Sequence, residues 1–243
     1  MSRTKSWKRI IFQTLGTTAV NVIIFVVSVV KIRVFSRTLT IEEYGILGLM
    51  LNINALLSPF LDLGGHRYVF QQASKDFDSR VSALLVSLIT ILVTSILCII
   101  SVHLFLPGIL KTLNIQAFAQ EFLLVIYASV QTSIFFSLSF YIFGRLNINY
   151  YNVVYLLRNV LYVILALVFF YIYKKLDLYQ IMVFLNISIL ICVILTIPVK
   201  IIPKIRRVSL QKTHFVNFFK YGIPLLPFFI GDWAIFLIIR GEI

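Results

Sequence analysis

The stretch YNVVYLLRNVLYVILALVFFYIY, Tyr151 to Tyr173, is apolar along its length and carries a single cation in its interior, Arg158. It reads as a transmembrane helix. At about 100° per residue, Tyr151, Tyr155, Arg158, Tyr162, Phe169 and Tyr173 fall within about 60° of one another. An arginine turned toward lipid at a helix centre costs about 2.5–3.5 kcal/mol on insertion scales. One aligned with a tyrosine stripe is better placed in a bundle interior or a wet cavity. The alternative is a packing face from which Arg158 snorkels toward the headgroups.

Composition agrees with a membrane protein. Hydrophobic residues make up 60% of the 243-residue chain and charged residues 13%, with a mean hydropathy of +0.98. A soluble domain carries about 25% charged residues. The expected fold is all-α, a polytopic bundle of about seven spans. The net charge of +13 does not point to nucleic acid, because the cations gather between apolar spans, where they set orientation and meet anionic membrane lipids. Cys98 and Cys192 lie inside apolar spans, and His66, His103 and His214 lack metal-ligand spacing. No disulfide, metal or cofactor is implied.

Met1 to Arg9 carries Arg3, Lys5, Lys8 and Arg9, and the apolar run Ile10 to Val30 follows without a small-residue cleavage site. It reads as a retained first span, not a signal peptide. Gln13, Thr17 and Asn21 share one of its faces, joined by Thr14, Thr18, Ser28 and Lys31, a stripe expected to line a hydrophilic lumen. Val34 to Glu43 reads as a short polar loop in which Thr40 and Glu43 form a capping box. The second span, Ile41 to Leu63, places Asn54, Ser58 and Asp62 on one face, is kinked by Pro59 and stops at Gly64-Gly65. A loop runs to Arg80. The third span, Val81 to Phe105, ends at Pro107-Gly108, and the fourth covers Glu121 to Phe143 with no clean polar face. Tyr151 to Tyr173 is the fifth and Leu178 to about Val199 the sixth. A basic loop, 200–220, leads into a seventh span over 221–239, with Asp232 near mid-membrane. Counting Lys and Arg with the N-terminus inside gives 14 cytosolic against six outer residues, which orients the N-terminus to the cytoplasm.

The chain has no G-x-S-x-G, H-E-x-x-H or P-loop, no His-plus-carboxylate cluster, and little room for a soluble catalytic domain. It reads as a transporter for something anionic and not as an enzyme. Thr38-Leu-Thr-Ile-Glu-Glu-Tyr-Gly45, Asp62-Leu-Gly-Gly65 and Tyr221-Gly-Ile-Pro-Leu-Leu-Pro227 with Trp233 resemble the bacterial polysaccharide (O-antigen) flippases of the multidrug/oligosaccharidyl-lipid/polysaccharide exporter superfamily. The resemblance implies two helical lobes around a central cavity in the inner membrane, and alternating-access movement of undecaprenyl-pyrophosphate-linked oligosaccharide. Residues 1–220 would be the first lobe and 221–243 the first helix of a second. Other polysaccharide-assembly proteins are expected partners.

On that reading Arg158 contacts the pyrophosphate from a cavity side shared with Asn21, and Lys31 and Arg33 stand at the outer mouth. Tyr151, Tyr155 and Tyr162 stack on sugars. Asp62 and Asp232 pair with cations or take up a coupling ion. The alternatives are a drug exporter of the same superfamily, with a more acidic cavity, or a membrane enzyme of envelope assembly.

Overall fold

A computed structural model describes residues 3–145, 147–197, 210, 212–228 and 231, with backbone alone described for 3–13. The chain is all-α: α1 (Arg3–Thr38), α2 (Ile41–Leu61), α3 (Gly65–Ala73), α4 (Phe77–Thr112), α5 (Ala119–Gly144), α6 (Ile148–Tyr173), α7 (Leu178–Thr196) and α8 (Lys212–Gly222). Six of these, α1, α2 and α4–α7, are long and apolar enough to cross a membrane.

The bundle is built around α5, which packs on α2, α3, α4, α6 and α7. Its sequence explains the position. Ala128, Ser129, Ser133 and Ser137 are fully buried, and small side chains let helix backbones approach where no hydrophobic force drives association in lipid. The hydroxyls bond back to their own helix and across: Ser133 Oγ donates to the Ser58 carbonyl at 2.8 Å, and Ser87 and Ser137 share a 2.7 Å bond. No single polar face is visible in this span because it is covered on nearly all sides. By contrast, α1 lies on the outside, packed mainly on α6.

Several boundaries differ from the sequence reading. The polar loop expected at Val34–Glu43 is mostly helix: α1 continues to Thr38 because Phe35 and Leu39, four residues apart, are buried, while Ser36 and Arg37 face outward. The capping box forms, with Glu43 N–H donating to Thr40 Oγ1 at 3.2 Å and Thr40 N–H to Glu43 Oε2 at 2.9 Å. The loop expected after Gly65 contains α3. Pro107 lies within α4 and does not end it; Val102 and Leu110 are buried on either side of it and Leu106 and Ile109 pack against the core, so burial carries the helix through. Part of the basic loop is helix α8.

The α2–α3 corner is tight. Leu63 and Gly64 have φ of 50° and 72°, the left-handed region that glycine enters without steric cost. An added Cβ on Gly65 would stand 2.2 Å from the Phe218 ring, and one on Gly222 would stand 2.2 Å from the Leu63 carbonyl oxygen. Thus α8 is seated against α3 and α4, with Phe218 fully buried beside Tyr68. Burial raises the Tyr68 phenol above its ordinary pKa. Tyr221 and Gly222 complete α8, and a 3-10 turn, Ile223–Leu225, follows. Asp232, Trp233 and most of the expected seventh span lie outside the described residues.

Candidate functional site

A cavity of about 530 Å³ opens on one side of the bundle, walled by α1, α2, α3, α5, α6 and α7. Its cationic lining comes from three helices: Lys31 on α1, Arg67 on α3 and Arg158 on α6, with His66 beside Arg67. Among the described residues no carboxylate lines it.

Arg158 lies ten residues into α6, about 15 Å from its start by helix rise. Its guanidinium lies 5.1 Å from the Phe135 ring centroid and 4.9 Å from that of Phe136, and Nη2 donates to Thr132 Oγ1 at 3.4 Å. Among the described residues no carboxylate lies within 4 Å of it; the ion pair found there is His66–Asp62. Two aromatic faces stabilise a desolvated guanidinium by about 0.5–2 kcal/mol each without neutralising it. Arginine stays protonated in proteins, so the charge is carried into the cavity. The other cations follow the same pattern, Lys31 Nζ lying 6.0 Å from the Tyr162 ring and Arg67 5.9 Å from Phe140. The wall is therefore cationic with aromatic backing.

Of the residues singled out in the sequence, Arg158, Tyr162 and Lys31 come together on this wall. Tyr151 and Tyr155 do not line it. They stack on each other at 5.6 Å with an 11° interplanar angle, and Tyr151 also packs on Phe143. Asn21 and Arg33 are exposed on α1 and are likewise absent from the lining. Of the polar stripe of the first span, Thr17 bonds to Asn152 of α6, while Thr18 and Ser28 bond back to their own helix. Among the described stripe residues, Lys31 is the one that lines the cavity.

Asp62 is fully buried and serves the corner. Its Oδ1 accepts from Gly64 N–H at 2.8 Å and its Oδ2 from His66 N–H at 3.2 Å. Oδ2 also lies 2.6 Å from His66 Nδ1. The His-plus-carboxylate cluster not found in the sequence is therefore present, as a pair four residues apart across a Gly-Gly turn. His66, Arg67, Phe136 and Phe140 are the wall residues that sequence reasoning missed. The spacing Asp62-x-x-x-His66 was the available signal, hidden because the segment reads as a loop. Among the described residues no group of three metal-ligating side chains converges, and Cys98 and Cys192 are free thiols.

A family model for polysaccharide biosynthesis proteins matches residues 6–239. No curated protein and no solved structure gives a significant match. With the match spanning nearly the whole sequence and the fold a multi-pass helix bundle, this chain belongs to the polysaccharide biosynthesis protein family.

Proposed function

We propose that this chain forms a translocating lobe for undecaprenyl-pyrophosphate-linked oligosaccharide at the bacterial inner membrane, acting by binding and release and not as an enzyme. The observation that carries the proposal is the charge of the cavity: Lys31, Arg67 and Arg158 on three helices, and no lining carboxylate among the described residues. A pyrophosphate passing through a low-dielectric region needs fixed positive charge, and a guanidinium can hold two of its oxygens at once. A cavity selecting cationic drugs would favour the opposite sign, so the drug-exporter reading is the weaker one. An envelope enzyme would need a nucleophile beside its histidine; the wall near His66 offers the apolar rings of Phe136 and Phe140.

On this proposal residues 1–220 form one lobe and residues 221–243 begin a second, with the N-terminus cytoplasmic and lipids and other polysaccharide-assembly proteins as neighbours. The test is glycan export by cells that carry the protein, normalised to the amount of protein in the membrane. Arg158→Ala should abolish export while the protein still accumulates. Arg158→Lys, which keeps the charge and loses the fork, should export partially. Normal export by the alanine variant would remove the cavity from the transport path.

A further inference from the structure

A second cavity, of about 230 Å³, lies at the end of the bundle where α5 and α7 stop and α6 starts. The apolar spans end there at Gly144 and Thr196 and begin at Ile148, so the cavity stands at the level where hydrocarbon gives way to headgroups. The carbonyls of the last turn of α7 are spent. Thr196 Oγ1 donates to Cys192 and Val193 at 3.0 and 2.8 Å, Ile197 N–H to Ile194 at 3.2 Å, and the Tyr150 hydroxyl to Leu195. A helix C-terminus that would repel an anion is thereby satisfied from within.

The donors are not spent. Tyr141 is 1% exposed and lines the cavity, yet among the described residues its hydroxyl meets no hydrogen-bond partner of good geometry. The charges of Arg80, near the start of α4, and Arg145, just past α5, both reach that hydroxyl. The Arg80 Nε is likewise buried without a partner, and among the described residues no carboxylate lies within 4 Å of either guanidinium. Asn147 opens α6 with no side-chain bond to its first turn, so the first N–H groups of that helix have no intrahelical partner and carry the positive end of its dipole.

Acceptors used and donors waiting fit an anion with several oxygens, and guanidinium groups match phosphate best. Hydrocarbon has a place beside it. Leu195 and Tyr150 line the pocket and are exposed, and Ile191, four residues before Leu195, and Val153, three after Tyr150, continue an exposed line into the spans. We propose that this pocket seats the phosphodiester headgroup of an anionic membrane phospholipid. Arg145 and the Tyr141 hydroxyl donate to its non-bridging oxygens, the α6 N-terminus faces it, and the acyl chains lie against the exposed line. The seat shares no lining residue with the cavity of Lys31, Arg67 and Arg158 and does not depend on what that cavity carries.

The experiment uses the 243-residue chain purified in detergent, with dioctanoyl phosphatidylglycerol as probe and dioctanoyl phosphatidylcholine and inorganic phosphate as comparisons. Native mass spectrometry counts the bound lipid, and thermal unfolding reads its effect. Phosphatidylglycerol should bind several-fold tighter than phosphatidylcholine and raise the unfolding midpoint, as a ligand of the folded state does. Arg145→Gln should weaken that binding about tenfold, the worth of one charge-assisted hydrogen bond. Tyr141→Phe removes a hydroxyl that the lipid-free protein leaves unbonded, so its midpoint without lipid should hold or rise while its affinity for phosphatidylglycerol falls. Arg37→Gln, which removes an exposed charge on α1, should bind as wild type does. Equal binding of the two lipids, or wild-type affinity in Arg145→Gln or in Tyr141→Phe, overturns the proposal. Inorganic phosphate that binds as tightly as the lipid, with the same dependence on Arg145, makes the seat one for a soluble anion and overturns the lipid assignment.

Discussion

A guanidinium about 15 Å along a membrane helix announces itself in any sequence, and the cavity position of Arg158 was legible for that reason. Its partners were not. The helical wheel put Tyr151 and Tyr155 beside it, but the cavity stops short of them and the two rings stack on each other. Angular position on one helix does not tell where neighbouring helices close. His66 was invisible because its role depends on a turn that brings Asp62 back beneath it. The tight glycines give a prediction at this scale. Gly222→Ala drives a methyl onto the backbone oxygen of Leu63, which cannot step aside, whereas Gly65→Ala meets the Phe218 ring, which can turn. Both overpack, a class of change that costs about 1–3 kcal/mol, and Gly222→Ala should fall at the upper end. Thermal unfolding in detergent should rank wild type above Gly65→Ala, with Gly222→Ala lowest. The reverse order of the two variants would mean that the α8 backbone yields more readily than an aromatic ring.

Helix boundaries were legible where a capping residue stood beside an apolar run. Thr40 with Glu43 and Asp177 with Gln180 both form reciprocal capping boxes. Replacing either N-cap by alanine should cost about 1 kcal/mol, visible as a lowered unfolding midpoint; an unchanged midpoint in both would mean that membrane packing alone sets these helix starts. Asp76 caps α4, and the backbone N–H and hydroxyl of Ser79 hold its carboxyl below the ordinary carboxylate range. A depressed carboxyl stabilises the fold above its unfolded pKa, about 4, and that contribution fades as pH falls through the lower folded value. The fall in unfolding midpoint between about pH 5 and pH 3 should therefore be smaller in Asp76→Asn than in wild type. Boundaries were missed where composition misled. Ser36, Arg37 and Thr38 look like a loop, yet buried Phe35 and Leu39 carry α1 through them. The short helix α3 opens on glycine and carries His66 and Arg67, so its buried line of His66, Val69 and Ala73 passed as loop.

At the scale of the whole molecule, six of the seven expected spans were readable from apolar length, because a helix satisfies its own backbone groups in lipid; most of the seventh lies outside the described residues. On α4 the exposed apolar band runs from Ile89 to Phe105, about 24 Å by helix rise, close to a hydrocarbon core of about 30 Å. Which cavity the spans enclose was not readable, since that depends on crossing angles. The 14-to-six distribution of cations predicts that reporters fused after Gln116 emerge outside and those after Arg207 stay cytosolic; the opposite pair of signals would invert the topology. The corner from Asp62 to His66 has one more implication. One side orients the cavity histidine, and the other is fitted to α8 with less clearance than a methyl group. Positions 65 and 218, more than 150 residues apart, are therefore not free to drift separately. In a library randomising both codons, survivors should pair small with large: a bulkier residue at 65 inherited only with a trimmed one at 218. The corner would leave in descendants of this gene a reciprocal record of size.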